Sequence, residues 1–181
     1  MADAADIPRT FESGPSDPVR MADGPGTFAE VDIAAPVDRV WELVTDIDLP
    51  ARFSDEFLGA SWDGHGPALG ATFTGRNTHP AIGEWEVTLY VHAFDPPRSF
   101  GWCTSDPANP GARWRFDLEP HGDGTRLRFT VALGPGPSGT TAAIRSMPDK
   151  EGRIIARRIG EVHANMLRTV EGIRDLATAG S

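Results

Sequence analysis

The stretch that decides the fold runs from Arg153 to Thr178 and reads RIIARRIGEVHANMLRTVEGIRDLAT. Its large apolar residues recur at steps of three and four, which is the spacing of one stripe along an α-helix. The stripe consists of Ile155, Ile159, Val162, Met166, Val170, Ile173 and Ala177. The charged residues on the other side are Arg157, Glu161, Arg168, Glu171 and Asp175. The pattern predicts an amphipathic helix of about seven turns, and its apolar stripe requires a large concave partner.

The residues before this helix predict that partner. Runs of strand length alternate with turns rich in Gly, Pro and Asp, as in a meander of antiparallel strands. The predicted strands are Thr27–Ile33, Leu58–Asp63, Ala71–Thr78, Glu84–Phe94, Ser99–Thr104, Arg113–Glu119 and Thr125–Leu133. Apolar and polar residues alternate along them, so the sheet should have one apolar and one solvated face. A sheet of about seven strands with one long helix to cover it predicts an α+β layer fold.

Three further segments complete the predicted architecture. Pro36 should open a helix after the first strand, and a short second helix around Leu49 to Asp55 should turn Phe53 and Phe57 inward. The stretch from Gly134 to Gly152 is interpreted as a mobile lid over one end of the cavity between sheet and helix. We expect a single domain over residues 27–178, because residues 1–26 have the Pro- and Gly-rich composition of a flexible tail.

Composition excludes several classes of function. A net charge of −9 argues against general nucleic-acid binding. No run of eighteen apolar residues predicts membrane insertion, and a reducing cytoplasm is the expected location because Cys103 is the only cysteine. The five histidines lack ligand spacing, so we predict no metal and no other cofactor. The oligomeric state stays open, with a homodimer as one option.

Five segments carry a resemblance to a known family. They are Ala34-Ala35-Pro36-Val37-Asp38-Arg39-Val40-Trp41, Gly70-Ala71-Thr72-Phe73-Thr74-Gly75-Arg76-Asn77, Arg98-Ser99-Phe100-Gly101-Trp102, Trp114-Arg115-Phe116-Asp117-Leu118-Glu119-Pro120 before Gly122-Asp123-Gly124-Thr125, and His163-Ala164-Asn165-Met166. In this order, over about Thr27 to Thr178, the chain resembles the START-like, or SRPBCC, superfamily in its polyketide cyclase/dehydrase branch. The resemblance implies a helix-grip fold, in which a curved antiparallel sheet wraps a long C-terminal helix.

The resemblance also implies three candidate functions. The superfamily holds carriers of hydrophobic ligands, lipid-transfer domains, receptors and some cyclases and dehydratases. The first hypothesis is therefore a module that binds a small hydrophobic molecule, aromatic or polyketide-like, between sheet and helix. The second is a cyclase or dehydratase that acts in the same cavity without a metal or a covalent nucleophile. The third is an interaction domain whose cavity is filled.

The predicted cavity wall combines aromatic rings with the helix stripe, because rings supply large apolar area for planar ligands. The candidate ligand-binding residues are Phe53, Phe57, Phe73, Trp85, Leu89, Trp102, Trp114, Phe116, Phe129, Met147, Ile155, Ile159, Val162 and Met166.

Four polar residues are candidates for chemistry in that cavity. Asn77 shares strand parity with Phe73, so its amide should point inward and either anchor a ligand or bind a neighbouring strand. His79 has the same parity and could act as a general acid or base, or serve the turn at Pro80. Arg158 and His163 flank the apolar helix stripe and could lean inward or extend to solvent. An inward Arg158 would be a fixed cation suited to an enolate or carboxylate.

Overall fold

The computed structural model describes residues 9–10 and 19–179. Eight strands form one sheet: β1 (Arg9–Thr10), β2 (Pro25–Ile33), β3 (Phe57–Trp62), β4 (Thr72–His79), β5 (Gly83–Asp95), β6 (Ser99–Thr104), β7 (Ala112–His121) and β8 (Gly124–Leu133). The helices are α1 (Val37–Val44), α2 (Gly139–Ser146) and α3 (Glu151–Thr178), with 3-10 turns at Met21–Asp23, Leu49–Arg52 and Pro148–Lys150. The chain has the predicted α+β helix-grip fold.

The sheet order is β1-β2-β8-β7-β6-β5-β4-β3. Strands β3 to β8 form an antiparallel meander, β2 pairs antiparallel with β8, and only the two-residue β1 runs parallel to its neighbour. The connection from β2 to β3 therefore crosses the whole width of the sheet, and it carries α1 and the turn at Leu49–Arg52. This crossover closes one end of the space between sheet and α3.

Two irregularities in strand pairing bend the sheet. The register shifts between Phe57 and Gly59 on β3, and between Val91 and Ala93 on β5. Each shift inserts an extra residue, which increases local bend and twist. Gly59 has a φ of 136° and lies so close to Asp48 that a Cβ there would come within 2.6 Å of its Oδ1. Only glycine combines that backbone conformation with that contact.

The core lies where the apolar stripe of α3 meets β2, β8 and α1. Ile155, Val170 and Ile173 are at most 1% exposed, and Leu127 and Val40 are fully buried. The fold also includes residues before Thr27, since Met21 is buried and its backbone N–H donates to Glu151 Oε1. The rest of the predicted tail, residues 1–8 and 11–18, lies outside the described residues. Within the described part of the chain, no helix has the length and apolar character that a membrane span requires.

Candidate functional site

A cavity of about 820 Å³ lies between the concave face of the sheet and α3. Strands β4 to β8 form its floor, and residues of α2, α3 and the crossover segment form its sides. Ile82, in the turn between β4 and β5, and Met147, after α2, line the rim and are 57% and 38% exposed. The side chains that the structure describes leave this space open.

The floor of the cavity is an aromatic wall. It consists of Phe73, Phe100, Trp102, Trp114, Phe116 and Phe129. Phe116 and Phe129 stack with ring centroids 4.0 Å apart, and Trp102 lies within 6.1 Å of Phe73, Phe116 and Phe129. The strand register brings these rings together, because Trp102 pairs with Trp114 and Phe116 pairs with Phe129. Such a wall offers flat apolar area to a planar ligand.

An ion pair lines the cavity on the side of the crossover segment. Arg158 of α3 donates to both carboxylate oxygens of Glu56, at 2.6 and 2.7 Å. Both side chains are mostly buried, at 24% and 16% exposure. Burial alone would lower the pKa of the Arg158 guanidinium, but the hydrogen bonds and charge of Glu56 outweigh burial and hold that pKa above its ordinary value. Of the two alternatives left open for Arg158, the structure shows a side chain that lines the cavity and is held there by a carboxylate of the protein.

A second polar group lies at the rim, around Glu161 of α3. Its carboxylate accepts from Arg157 at 2.9 Å and lies 3.7 Å from His79 Nε2 and 3.8 Å from Arg158. His79 Nδ1 accepts from the backbone N–H of Ala81 at 3.1 Å, so the neutral ring carries its proton on Nε2. The arrangement makes His79 a hydrogen-bond donor directed toward Glu161.

Asn77 is a polar group of the cavity without a partner. It lies on β4 between Phe57 of β3 and Trp85 of β5, and all three residues line the cavity. Its side-chain amide makes no hydrogen bond with any of the residues the structure describes. A half-buried amide in this state can both donate to and accept from a polar group on a bound molecule.

The structure brings fourteen of the eighteen predicted site residues to the cavity. These are Asn77, His79, Arg158, Phe57, Phe73, Trp85, Leu89, Trp102, Trp114, Phe116, Phe129, Met147, Val162 and Met166. The four that lie elsewhere are Phe53, Ile155, Ile159 and His163.

The phase of α3 explains three of these exceptions. Ile155 and Ile159 are buried in the core, at 0% and 7% exposure, and do not line the cavity. His163 faces β2, where its Nδ1 lies 3.1 Å from Thr27 Oγ1. Phe53 instead packs on α3 at Gly172, where a Cβ would come within 2.3 Å of its ring.

Sequence reasoning missed several polar residues of the cavity. Glu161 was assigned to the solvated side of the helix, and Glu56, Asn165 and Thr169 carried no role. Glu161 had a signal that was not used, since it lies three and four residues after Arg158 and Arg157, the spacing of helical ion pairs. The sequence offers no such signal for Glu56, because its partner Arg158 is 102 positions away.

The described residues offer no site for metal or thiol chemistry at the cavity. No three His, Cys, Asp or Glu side chains among residues 9–10 and 19–179 come together as metal ligands. Cys103 is buried and does not line the cavity. Burial raises the pKa of its thiol, which disfavours the reactive thiolate.

Comparisons with known proteins agree with this geometry. A family model described as polyketide cyclase/dehydrase and lipid transport matches residues 28–161. The solution NMR structure of the Polyketide_cyc-like protein Cgl2372 from Corynebacterium glutamicum is 29% identical, with a TM-score of 0.63 over 86% of this chain and 92% of that one. A search of curated proteins finds no match.

Two more distant structures share the fold. The di-domain ARO/CYC StfQ of the steffimycin biosynthetic pathway is 14% identical, with a TM-score of 0.63 over 86% of this chain and 52% of StfQ. TTHA0849 from Thermus thermophilus is 18% identical, with a TM-score of 0.56 over 87% of this chain and 99% of that one. At these identities the similarity concerns the fold alone.

Proposed function

Because the chain belongs to the polyketide cyclase/dehydrase and lipid transport family, we propose that it binds a small hydrophobic molecule, aromatic or polyketide-like, in the cavity between sheet and α3. The observation that carries this proposal is the aromatic wall beside the unpaired amide of Asn77. The wall supplies apolar contact, and the amide supplies one directional contact to a carbonyl or hydroxyl of the ligand. The volume of about 820 Å³ suits a molecule of several fused rings.

A matched pair of probes tests the proposal. We expect 2-acetylanthracene to form a one-to-one complex by native mass spectrometry and to quench the fluorescence of the tryptophans that line the cavity. In Asn77→Leu the affinity for this ketone should fall about two- to tenfold, because one neutral hydrogen bond contributes about 0.5–1.5 kcal/mol. The affinity for 2-ethylanthracene, which lacks the carbonyl, should stay the same. Absence of binding for both probes would refute the proposal.

His79 favours a second candidate, a cyclase or dehydratase acting in the same cavity. Its Nε2–H lies at the rim beside Glu161, where it could donate to a ligand carbonyl while Asn77 holds another. Incubation with a thioester of a poly-β-ketone, followed by product analysis, tests this candidate. An enzyme should lose at least about tenfold in turnover when Asn77 or His79 becomes Ala. Full activity in both variants would refute this assignment.

A further inference from the structure

The charged side chains that line the cavity are unevenly balanced. Four are carboxylates and two are guanidinium groups: Asp46, Glu56, Glu86, Glu161, Arg157 and Arg158. His79 adds an imidazole ring whose Nε2 lies 3.7 Å from the carboxylate of Glu161. The described lining therefore carries more negative than positive charge, and the important question is whether either arginine is available to a ligand.

Neither guanidinium in the described lining is free. Glu56 takes up both ends of the Arg158 fork at 2.6 and 2.7 Å, in the geometry that an incoming carboxylate would otherwise use. Arg157 is bound to Glu161 at 2.9 Å, and its side chain is 75% exposed, so water screens it. A ligand anion would have to displace Glu56 before it could pair with Arg158. With Arg157, which Glu161 holds through Nε alone, it would gain only a contact that water screens.

Binding of an anionic ligand would therefore cost desolvation free energy that no available buried cation in the described lining offsets. Transfer of a carboxylate from water to an apolar wall is unfavourable unless the group is paired and hydrogen-bonded. A ketone or hydroxyl loses much less hydration, and the free amide of Asn77 can replace part of what it loses. The charge balance of the lining thus favours binding of uncharged ligands over binding of anionic ligands of the same shape.

We propose that the cavity selects uncharged hydrophobic molecules and excludes hydrophobic acids, and that Glu56 determines this selectivity by occupying Arg158. The inference rests on the proposed function, since it names the ligand class of the same cavity. It assigns Glu56 a role in specificity, because an uncharged residue at that position would leave Arg158 as a buried cation facing the cavity.

The test compares 2-acetylanthracene with anthracene-2-carboxylate, which have nearly the same shape and differ by one charge at neutral pH. We expect the native protein to bind the ketone at least about tenfold more tightly than the acid. Glu56→Gln should narrow that ratio at least about fivefold, through tighter binding of the acid. Replacing both residues, as Glu56→Gln with Arg158→Gln, should remove the gain, since it depends on the freed guanidinium.

Two further variants control for net charge and for folding. Glu171→Gln makes the same charge change at an exposed position of α3 and should leave the ratio of affinities unchanged. Should Glu56→Gln fail to fold, Glu56→Asp serves in its place, because the shorter side chain keeps the charge but reaches less far toward the two ends of the Arg158 fork. In that variant too, the affinity for the acid should rise.

Each outcome supports or overturns the inference. Equal binding of both probes, or preference for the acid, would overturn it while leaving the proposed function intact. An unchanged ratio in Glu56→Gln, or in Glu56→Asp where that variant replaces it, would overturn the role of Glu56. Failure of both probes to bind the native protein would refute the proposed function, and the inference with it.

Discussion

Two neighbouring stripes of α3 differ in their surroundings: one is buried in the core, and the other lines the cavity. The core stripe, which includes Ile155, Ile159 and Ile173, is buried against the sheet and fixes the position of the helix. The cavity stripe, which includes Arg158 and Glu161, presents polar groups to the cavity. Residues of the two stripes adjoin in the sequence, since one step along the helix rotates by about 100°. Burial of the first stripe therefore sets the orientation of the second.

Alanine substitutions of the adjacent residues Ile154 and Ile155 should show the largest difference between the two stripes, in the free energy of unfolding. Ile155 is fully buried in the core, whereas Ile154 is half-buried and lines the cavity. Ile155→Ala should lower the free energy of unfolding by about 2–5 kcal/mol, because it removes core contacts and leaves a void. Ile154→Ala, the matched control, should cost less than half as much but weaken the binding of 2-acetylanthracene. Urea denaturation and fluorescence titration measure the two effects.

The comparison would fail if the two isoleucine variants behaved alike. Equal losses of stability would mean that the cavity stripe also holds the helix. Unchanged ligand affinity in Ile154→Ala would mean that this part of the cavity does not contact the ligand.

The same division explains what the sequence could predict. Apolar periodicity marks every strand of the meander and the core stripe of α3, because burial of apolar area dominates folding and leaves a regular pattern. Strand parity also predicts an inner face that carries Asn77, His79, Phe73, Trp114, Phe116 and Phe129, whereas Phe100 of the aromatic wall was not among the candidates. Periodicity marks a buried stripe but does not tell which of its residues border a cavity. Ile155 and Ile159 are therefore predicted cavity residues that the structure buries away from the cavity, and the predicted His163 lies beside Thr27 of β2 instead.

The long-range ion pair between Glu56 and Arg158 could not be predicted from the sequence. Glu56 meets Arg158 only because the chain crosses the sheet between β2 and β3 and returns along α3. No local pattern encodes that contact. The sequence therefore left open whether Arg158 leans inward or extends to solvent, and the structure pairs it with Glu56 at the cavity.

Arg158 gives the next largest expected effect, on the cavity stripe. Arg158→Ala removes the partner of Glu56, whose side chain is only 16% exposed, and leaves a carboxylate poorly solvated. We expect a loss of about 1–3 kcal/mol in the free energy of unfolding, below the cost of a fully buried pair because water reaches both groups. Glu56→Gln combined with Arg158→Gln should cost less than Arg158→Ala, since it leaves no unpaired charge. A double-mutant cycle in urea, built from Glu56→Gln and Arg158→Gln, measures the coupling; additive losses would mean that the pair contributes nothing.

His163 gives the smallest effect and the sharpest test of where the boundary between the stripes lies. Its Nδ1 lies 3.1 Å from Thr27 Oγ1, so the ring ties α3 to β2 on the side away from the cavity. His163→Ala should lower the free energy of unfolding by about 0.5–1.5 kcal/mol, the contribution of one neutral hydrogen bond. Thr27→Val removes the same bond, so the two changes together should cost less than the sum of the single losses. Because His163 does not line the cavity, the affinity for 2-acetylanthracene should stay within about twofold of the native value. A larger change in affinity, with stability unaltered, would place His163 in the ligand site and move the boundary to the far side of the helix.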